Sequence, residues 1–463
     1  MEYRAEKDSM GEMRVPVDSL FGASTQRAVL NFPVSDKRFP RVFLEALGAV
    51  KAASSSANMK LSKLDPALGE PSRKAALAVR DGEYDAHFVV DIYQTGSGTS
   101  TNTNANEVIA NVANVGLGEP IGKKSPVHPN DHVNMGQSSN DVIPTAMHVS
   151  AVLDIERSLL PALDALEAAL SKKAEACRDV VKTGRTHLQD ATPVTLGQEF
   201  SGYAVQIKNC RGRIERTLEN LKELAIGGTA VGTGINTHPK FAGLVCEDLS
   251  QQFGTDFREA PNHFESLAAK DTCVEASGAL KVLAVALTKI ANDIRWLSSG
   301  PRTGLGEIAI PETQPGSSIM PGKVNPVIAE SVLQVAAQVM GNDVTIAVGG
   351  ASGNFELNVM MPVIAFNLLD SVRLLANVCG IFKEKCIDGI EANADRAAET
   401  IERGLSLVTA FAPVIGYDKA AAFSQQAFRE NKTIRELAKE QGLFSDEELD
   451  RLLDPRSMLR PEE

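Results

Sequence analysis

Aromatic side chains are scarce, at 5% of the 463 residues, with a single tryptophan. A core that lacks them is built from Ala, Val, Leu and Ile, whose modest size suits helix packed on helix. The six cysteines stand apart at positions 177, 210, 246, 273, 379 and 386. None forms a C-x-x-C pair, which removes the usual zinc and iron–sulfur frameworks. Isolated thiols suit a reducing compartment and helix cores. Positive charge is also short, with 47 Lys and Arg against 59 Asp and Glu and a net charge of -12. An acidic surface repels polyphosphate chains and anionic membranes, so neither a nucleic acid nor a membrane is expected as a partner. No uncharged apolar run approaches the ~20 residues of a membrane span. The opening residues, Met1 to Asp8, carry no apolar stretch of the kind a secretory leader has. A cytoplasmic protein is expected. Internal repeats and low-complexity segments are likewise missing.

What is present is helical periodicity. Residues 1–136 are mixed, with helical patterns from Phe43 to Leu61 and from Arg73 to Val79, and short strands expected between Gly11 and Phe21. From 137 to 392 long patterns dominate, at 141–177, 195–224, 264–298, 326–342 and 355–379, the last interrupted or bent at Pro362. In 264–298 the residues Leu280, Leu283, Leu287, Ile290, Ile294 and Leu297 form one apolar stripe, the mark of a long helix in a bundle. Residues 393–463 form a small helical unit. Within it, Ser445-x-x-Glu448 is a capping-box pattern preceded by Phe444. The expected architecture is all-α (mainly helical), in three domains at 1–136, 137–392 and 393–463, around a central long-helix bundle.

Four polar segments interrupt these helices. Residues 315–326 read Pro-Gly-Ser-Ser-Ile-Met-Pro-Gly-Lys-Val-Asn-Pro and lead into an amphipathic run. A loop that ends at a helix N-terminus gathers backbone N–H groups around an anion, and here two hydroxyls, one ammonium and one amide join it. A nucleotide-binding Walker loop does not fit. Five residues separate Gly316 from Gly322, and Val324 rather than Ser or Thr follows Lys323. The second segment, Thr95 to Glu107, is dense in neutral hydrogen-bonding groups. It lacks the third glycine of a dinucleotide fingerprint and reads equally as a capping loop. Its Gly96 and Gly98 are expected to let the backbone approach a ligand closely. The third holds His128-Pro129-Asn130-Asp131-His132 and Gln137 to Asp141. Pro129 and Asn130 argue against a helix there, so the two histidines are not expected to share a metal. The fourth, Gly184 to Pro193, carries His187 beside Thr186, placed to act as an acid or base near neutral pH.

Taken together, in their order along the chain, the four segments resemble the fumarase/aspartase superfamily of lyases. Gly316 to Pro326 matches its signature loop, and the resemblance runs from Gly11 to about Met458. His187 and Gly322 make the chain similar to the class II fumarase branch, since aspartase-like members carry glutamine in the Gly-Arg-Thr-x-Leu-Gln-Asp segment. Tyr93 stands where similar chains often have tryptophan.

The resemblance implies reversible hydration of fumarate to (S)-malate, by anti addition and elimination of water through an aci-carboxylate carbanion. It implies Ser317 as the base at C3, His187 on the hydroxyl side, and Glu330 polarising His187. Substrate is expected to meet Ser97, Gly98, Thr99, Ser138, Ser139, Asn140, Thr186, Ser318, Lys323, Val324 and Asn325. A second anion site is expected at His128, Pro129, Asn130 and Asp131. The resemblance further implies no metal, no organic cofactor, and a homotetramer whose active sites are each shared between three subunits. An aspartate ammonia-lyase and a non-catalytic structural homologue are the alternatives.

Overall fold

The computed structural model describes residues 2–461. Helices dominate, and the strands among the described residues form only two-stranded sheets. The chain divides into two compact units. One comprises Met1–Pro161, Gly212–Ala284 and Ala337–Ala376, and the other Ala162–Arg211, Val285–Ala336 and Asn377–Glu463.

The centre of the first unit is the Arg41–Lys60 helix, of which fifteen residues are buried. Its run of Ala, Ser and Gly lets the Pro66–Arg80, Ser139–Asp154 and Phe241–Phe253 helices approach closely. An antiparallel hairpin of Tyr3–Asp8 and Gly11–Pro16 precedes it. The helical pattern at 141–177 is an α-helix to Asp154, a π-helical stretch at Ile155–Leu159, and a further α-helix from Leu160 to Ala176. In the second unit, Val181–Thr186 and Gln189–Thr195 form a hairpin. The C-terminal part of this unit packs around Phe411, Phe423, Ile434, Leu437 and Leu449. Ser445 and Glu448 form the expected capping box, and the Phe444 ring lies 4.8 Å from Phe411.

Four long helices contribute residues to both units: Leu196–Leu221, Asp271–Leu297, Val327–Gly350 and Met361–Lys385. The longest has 27 residues, a rod of about 40 Å. Several boundaries differ from the sequence reading. The 264–298 pattern is broken after His263–Ala268, because Ala269 is extended and the Lys270 ammonium caps the carbonyls of Ser266, Leu267 and Ala269 at 2.8–2.9 Å. The last long helix is not bent at Pro362. It begins at Met361, so the proline sits in the first turn, where its missing N–H is not needed. The 326–342 pattern continues to Gly350. A π-helical turn spans Pro129–Val133 where no helix was expected, and Pro129 opens it. The segment Met361–Gly389 is long and apolar enough to cross a membrane by length and composition. In this fold 61% of its apolar window is buried within the chain, as in a core helix.

The stripe from Leu280 to Leu297 is already buried within one chain, so it does not by itself call for a partner. Other apolar residues on these helices do remain exposed, namely Val282, Val285, Trp296, Val344 and Val348.

His148, on the Ser139–Asp154 helix, bonds the Glu223 carbonyl through Nδ1 at 2.8 Å, and burial pulls its imidazole down to about 4. Its folded value is therefore depressed below the unfolded value near 6.5, and the unfolded state takes up more protons between the two. Stability is thus lost as pH falls from about 6.5 to about 4, by about 3 kcal/mol from this group. Denaturant titrations of the wild type and His148→Gln at pH 7 and 4.5 check this. The variant is expected to lose less on acidification, and a difference that stays constant with pH removes His148 from the acid response.

Candidate active site

In the first unit two helix N-termini meet. Gly98 caps the Thr99–Gly116 helix in a left-handed conformation, and Ser138 caps the Ser139–Asp154 helix. The Ser97 hydroxyl lies 2.8 Å from that of Thr99, which in turn lies 2.7 Å from the Ser139 hydroxyl. Three of the expected substrate-binding side chains thus form one hydrogen-bonded row across two positive helix ends, an arrangement suited to a carboxylate. Asn140 extends beside them and donates through Nδ2 to the Ala230 carbonyl at 2.8 Å. Gly96 has a packing reason to be glycine. An added Cβ would lie 1.7 Å from the Val359 carbonyl oxygen, so it is the chain entering the Met361–Lys385 helix that needs a glycine.

The Ser138 cap is pinned from below. Asp141 is fully buried and accepts from the backbone N–H groups of Ser138, Gly227 and Thr229 at 2.9–3.0 Å. Burial raises its carboxyl to about 6, against the pull of those three donors. Beside it lies Lys51, 1% exposed, which donates to Asn134 Oδ1 at 2.9 Å and Gln137 Oε1 at 3.0 Å. Sequence reasoning missed Lys51. The one available signal was a single charge inside the Ala- and Ser-rich run from Ala49 to Ala57.

The His128–Asp131 segment forms the π-helical turn. His128 Nδ1 accepts from the N–H groups of Asn130 and Asp131 at 3.3 and 3.2 Å, and His132 Nδ1 accepts from the His128 N–H at 2.8 Å. Both Nδ1 atoms are therefore occupied by backbone donors. Among the described residues no group of three or more His, Cys, Asp or Glu side chains converges as metal ligands do.

In the second unit, His187 and Leu188 are the two loop residues of the Val181–Thr186/Gln189–Thr195 hairpin, with φ of +57° and +59°. Positive φ at both positions is the type I′ signature, normally met by Asn-Gly. A histidine and a leucine there are strained, and strain of this kind gathers at functional sites. The hairpin is anchored by a buried ionic cluster. Arg185 grips Glu307 with two bonds, at 2.7 and 3.1 Å. Lys182 lies 3.2 Å from Glu307 and 2.8 Å from Glu199. Lys182 and Glu307 are each 1% exposed, and each keeps a second ionic partner, Glu199 and Arg185 respectively.

The serine loop folds back on itself. Gly316 N–H donates to the Lys323 carbonyl at 3.0 Å, and Asn325 Nδ2 donates to the Gly316 carbonyl. A Cβ at Gly316 would lie 2.1 Å from the Lys323 oxygen, so only glycine allows this closure. Within the loop, Ser317 Oγ accepts from two backbone N–H groups, Ile319 at 3.2 Å and Met320 at 3.0 Å. Ser318, Lys323 and Val324 are exposed, and the Lys323 ammonium has no acidic partner among the described residues. Glu330 lies in the first turn of the Val327–Gly350 helix. Within a single chain His187 makes no hydrogen bond to Ser317, Lys323 or Glu330 among the described residues.

Comparison with known proteins shows the family. A family model described as "Lyase" matches residues 11–341, and one described as "Fumarase C C-terminus" matches residues 407–460. The class II fumarate hydratase of Xylella fastidiosa is 52% identical, over 98% of this chain and 95% of its own. That of Myxococcus xanthus is 53% identical, over 98% of both chains. The crystal structure of the class II fumarase from Schistosoma mansoni superimposes with a TM-score of 0.97 at 38% identity, covering 100% of both chains. The chain belongs to the class II fumarate hydratase family.

Proposed function

We propose that this chain catalyses the reversible hydration of fumarate to (S)-malate, with Ser317 as the base at C3. The observation that carries the reading is the pair of N–H donors aimed at Ser317 Oγ. A serine hydroxyl is a poor base unless its alkoxide is stabilised. Backbone donors directed at a developing oxyanion stabilise it, and the Ile319 and Met320 N–H groups are placed to do so for Ser317. The uncommitted Lys323 ammonium adds to this.

In the malate direction, Ser317 alkoxide takes the C3 proton. The C–H electron pair moves into the adjacent carboxylate, giving an aci-carboxylate. The pair then returns to form the C2–C3 double bond, and the C2 hydroxyl leaves as water with a proton supplied from the His187 side. Glu330 polarises His187. Acid and base on opposite faces give anti elimination. The carboxylates are held by Ser97, Thr99, Ser138, Ser139, Asn140, Thr186, Ser318, Lys323 and Asn325, and the His128–Asp131 turn serves as a second anion site. The substrate's own carboxylate delocalises the charge, so no metal or organic cofactor takes part.

The active enzyme is a homotetramer in the cytoplasm, and each site draws its segments from three subunits. Exposed Val282, Val285, Val344 and Val348 on the long helices support this, as do Ile319 (83% exposed) and Phe355 (93%). Exposed valines three or four residues apart on one helix suit the face of a helix that meets another copy.

The absorbance of fumarate, followed with and without chelator, tests the activity, and the chelator is expected to change nothing. Parallel assays with aspartate identify an ammonia-lyase instead. Ser317→Ala is expected to slow turnover by about 10²-fold or more, and near-normal turnover rules Ser317 out. Gly316→Ala is expected to lower turnover about as far, through lost loop closure, with little change in melting temperature, because the loop is exposed. Dilution to monomers, followed by light scattering, is expected to abolish activity. A fully active monomer contradicts the shared site.

A further inference from the structure

We infer that Lys51 is a positioning residue for the dicarboxylate site, holding two helix N-termini in the register that grips substrate. This rests on the function proposed above. Lysine is almost never fully buried unless it is paired, because the ammonium loses its hydration. Lys51 is 1% exposed on the central helix of its unit, and among the described residues no carboxylate lies within hydrogen-bond reach. Its partners are two amide oxygens, and both lead to the site.

The first partner, Asn134 Oδ1, also receives Asn102 Nδ2 at 3.1 Å and Asn106 Nδ2 at 3.2 Å. Those asparagines stand in the first two turns of the helix that Thr99 opens. The second partner, Gln137, immediately precedes the Ser138 cap. Its Nε2 donates to the carbonyls of Val133 and Met135 at 3.1 Å, and its carbonyl accepts from Asn134 Nδ2 at 3.1 Å. The ammonium therefore ties the turn that delivers Ser138, Ser139 and Asn140 to the helix that delivers Thr99. It also sets a positive charge behind both N-termini, where it adds to their field on a bound carboxylate. The Asp141 carboxylate favours the charged form. Burial pulls Lys51 the other way, to about 7. A methionine of similar length would fill the space without that penalty, so packing alone does not explain the lysine.

The test is a KM-against-kcat comparison of the tetramer carrying Lys51→Met or Lys51→Gln. The residues it positions hold substrate and transition state alike, and loss of such uniform binding raises KM and leaves kcat. Lys51→Met is expected to raise KM for fumarate at least 10-fold with kcat within about 3-fold. Lys51→Gln, which keeps a donor but no charge, is expected to fall between. A merely structural lysine gives the opposite split, a lower apparent kcat from a smaller folded fraction with KM unchanged, and that result overturns the inference.

Succinate, a dicarboxylate that cannot react, separates this inference from the function. Its calorimetric affinity is expected to fall by the same factor in Lys51→Met whether or not the wild type turns over fumarate. A wild type that binds succinate without hydrating fumarate sinks the function and leaves the Lys51 assignment standing. If Lys51→Met folds poorly, amide exchange in the wild type and Lys51→Gln decides. Faster exchange confined to residues 134–141 supports the inference, and unchanged exchange there refutes it.

Discussion

Negative charge that must exist for a moment on an oxygen, and then on a carbon, is the constraint around which this chain is arranged. With Ser317 as the proposed base the response is local, since the backbone of one short loop turns two N–H groups onto its hydroxyl oxygen. The loop can do so because Gly316 permits the Lys323 carbonyl to come within bonding distance of its own N–H. A bulkier residue would open the ring and scatter the donors. With Ser317 as the proposed base, the chemistry rests on a steric fact at the residue before it.

The same constraint is met differently for the substrate's standing charges. In the proposed site two helix N-termini, joined by hydroxyls from Ser97, Thr99 and Ser139, would provide donors that need no reorganisation. Their rigidity comes from beneath, from the Asp141 carboxylate in a ring of three N–H groups and the Lys51 ammonium among amides. Buried charges of both signs, costly by themselves, fix a surface that must not relax when ligand arrives. The His187 hairpin follows the same plan, with Lys182, Arg185 and Glu307 clamped at its root and a strained turn at its tip.

Much of this was legible in the residue pattern, and the exceptions share a cause. The long helices follow from apolar spacing, and the cap at Ser445 from residues that bond their own backbone. The four polar segments announce the chemistry, because neutral hydroxyls and amides at helix starts have little other use in such density. The break at Ala269 was invisible because Lys270, rather than glycine or proline, makes it, by capping carbonyls from inside. The left-handed turn at His187 and Leu188 carries no glycine or asparagine to mark it. Lys51 looks like any helical lysine until the neighbours that bury it are known. In each case the deciding partner lies far along the chain, or the residue type works against its local preference.

The most direct measurement is exchange of the C3 hydrogen of (S)-malate with deuterated water, followed by NMR. In the wild type deuterium is expected to enter at C3 during turnover. In Ser317→Ala that entry is expected to fall by about 10²-fold or more, while in His187→Asn it persists as overall dehydration slows. A Ser317→Ala enzyme that exchanges the C3 hydrogen at the wild-type rate contradicts the account.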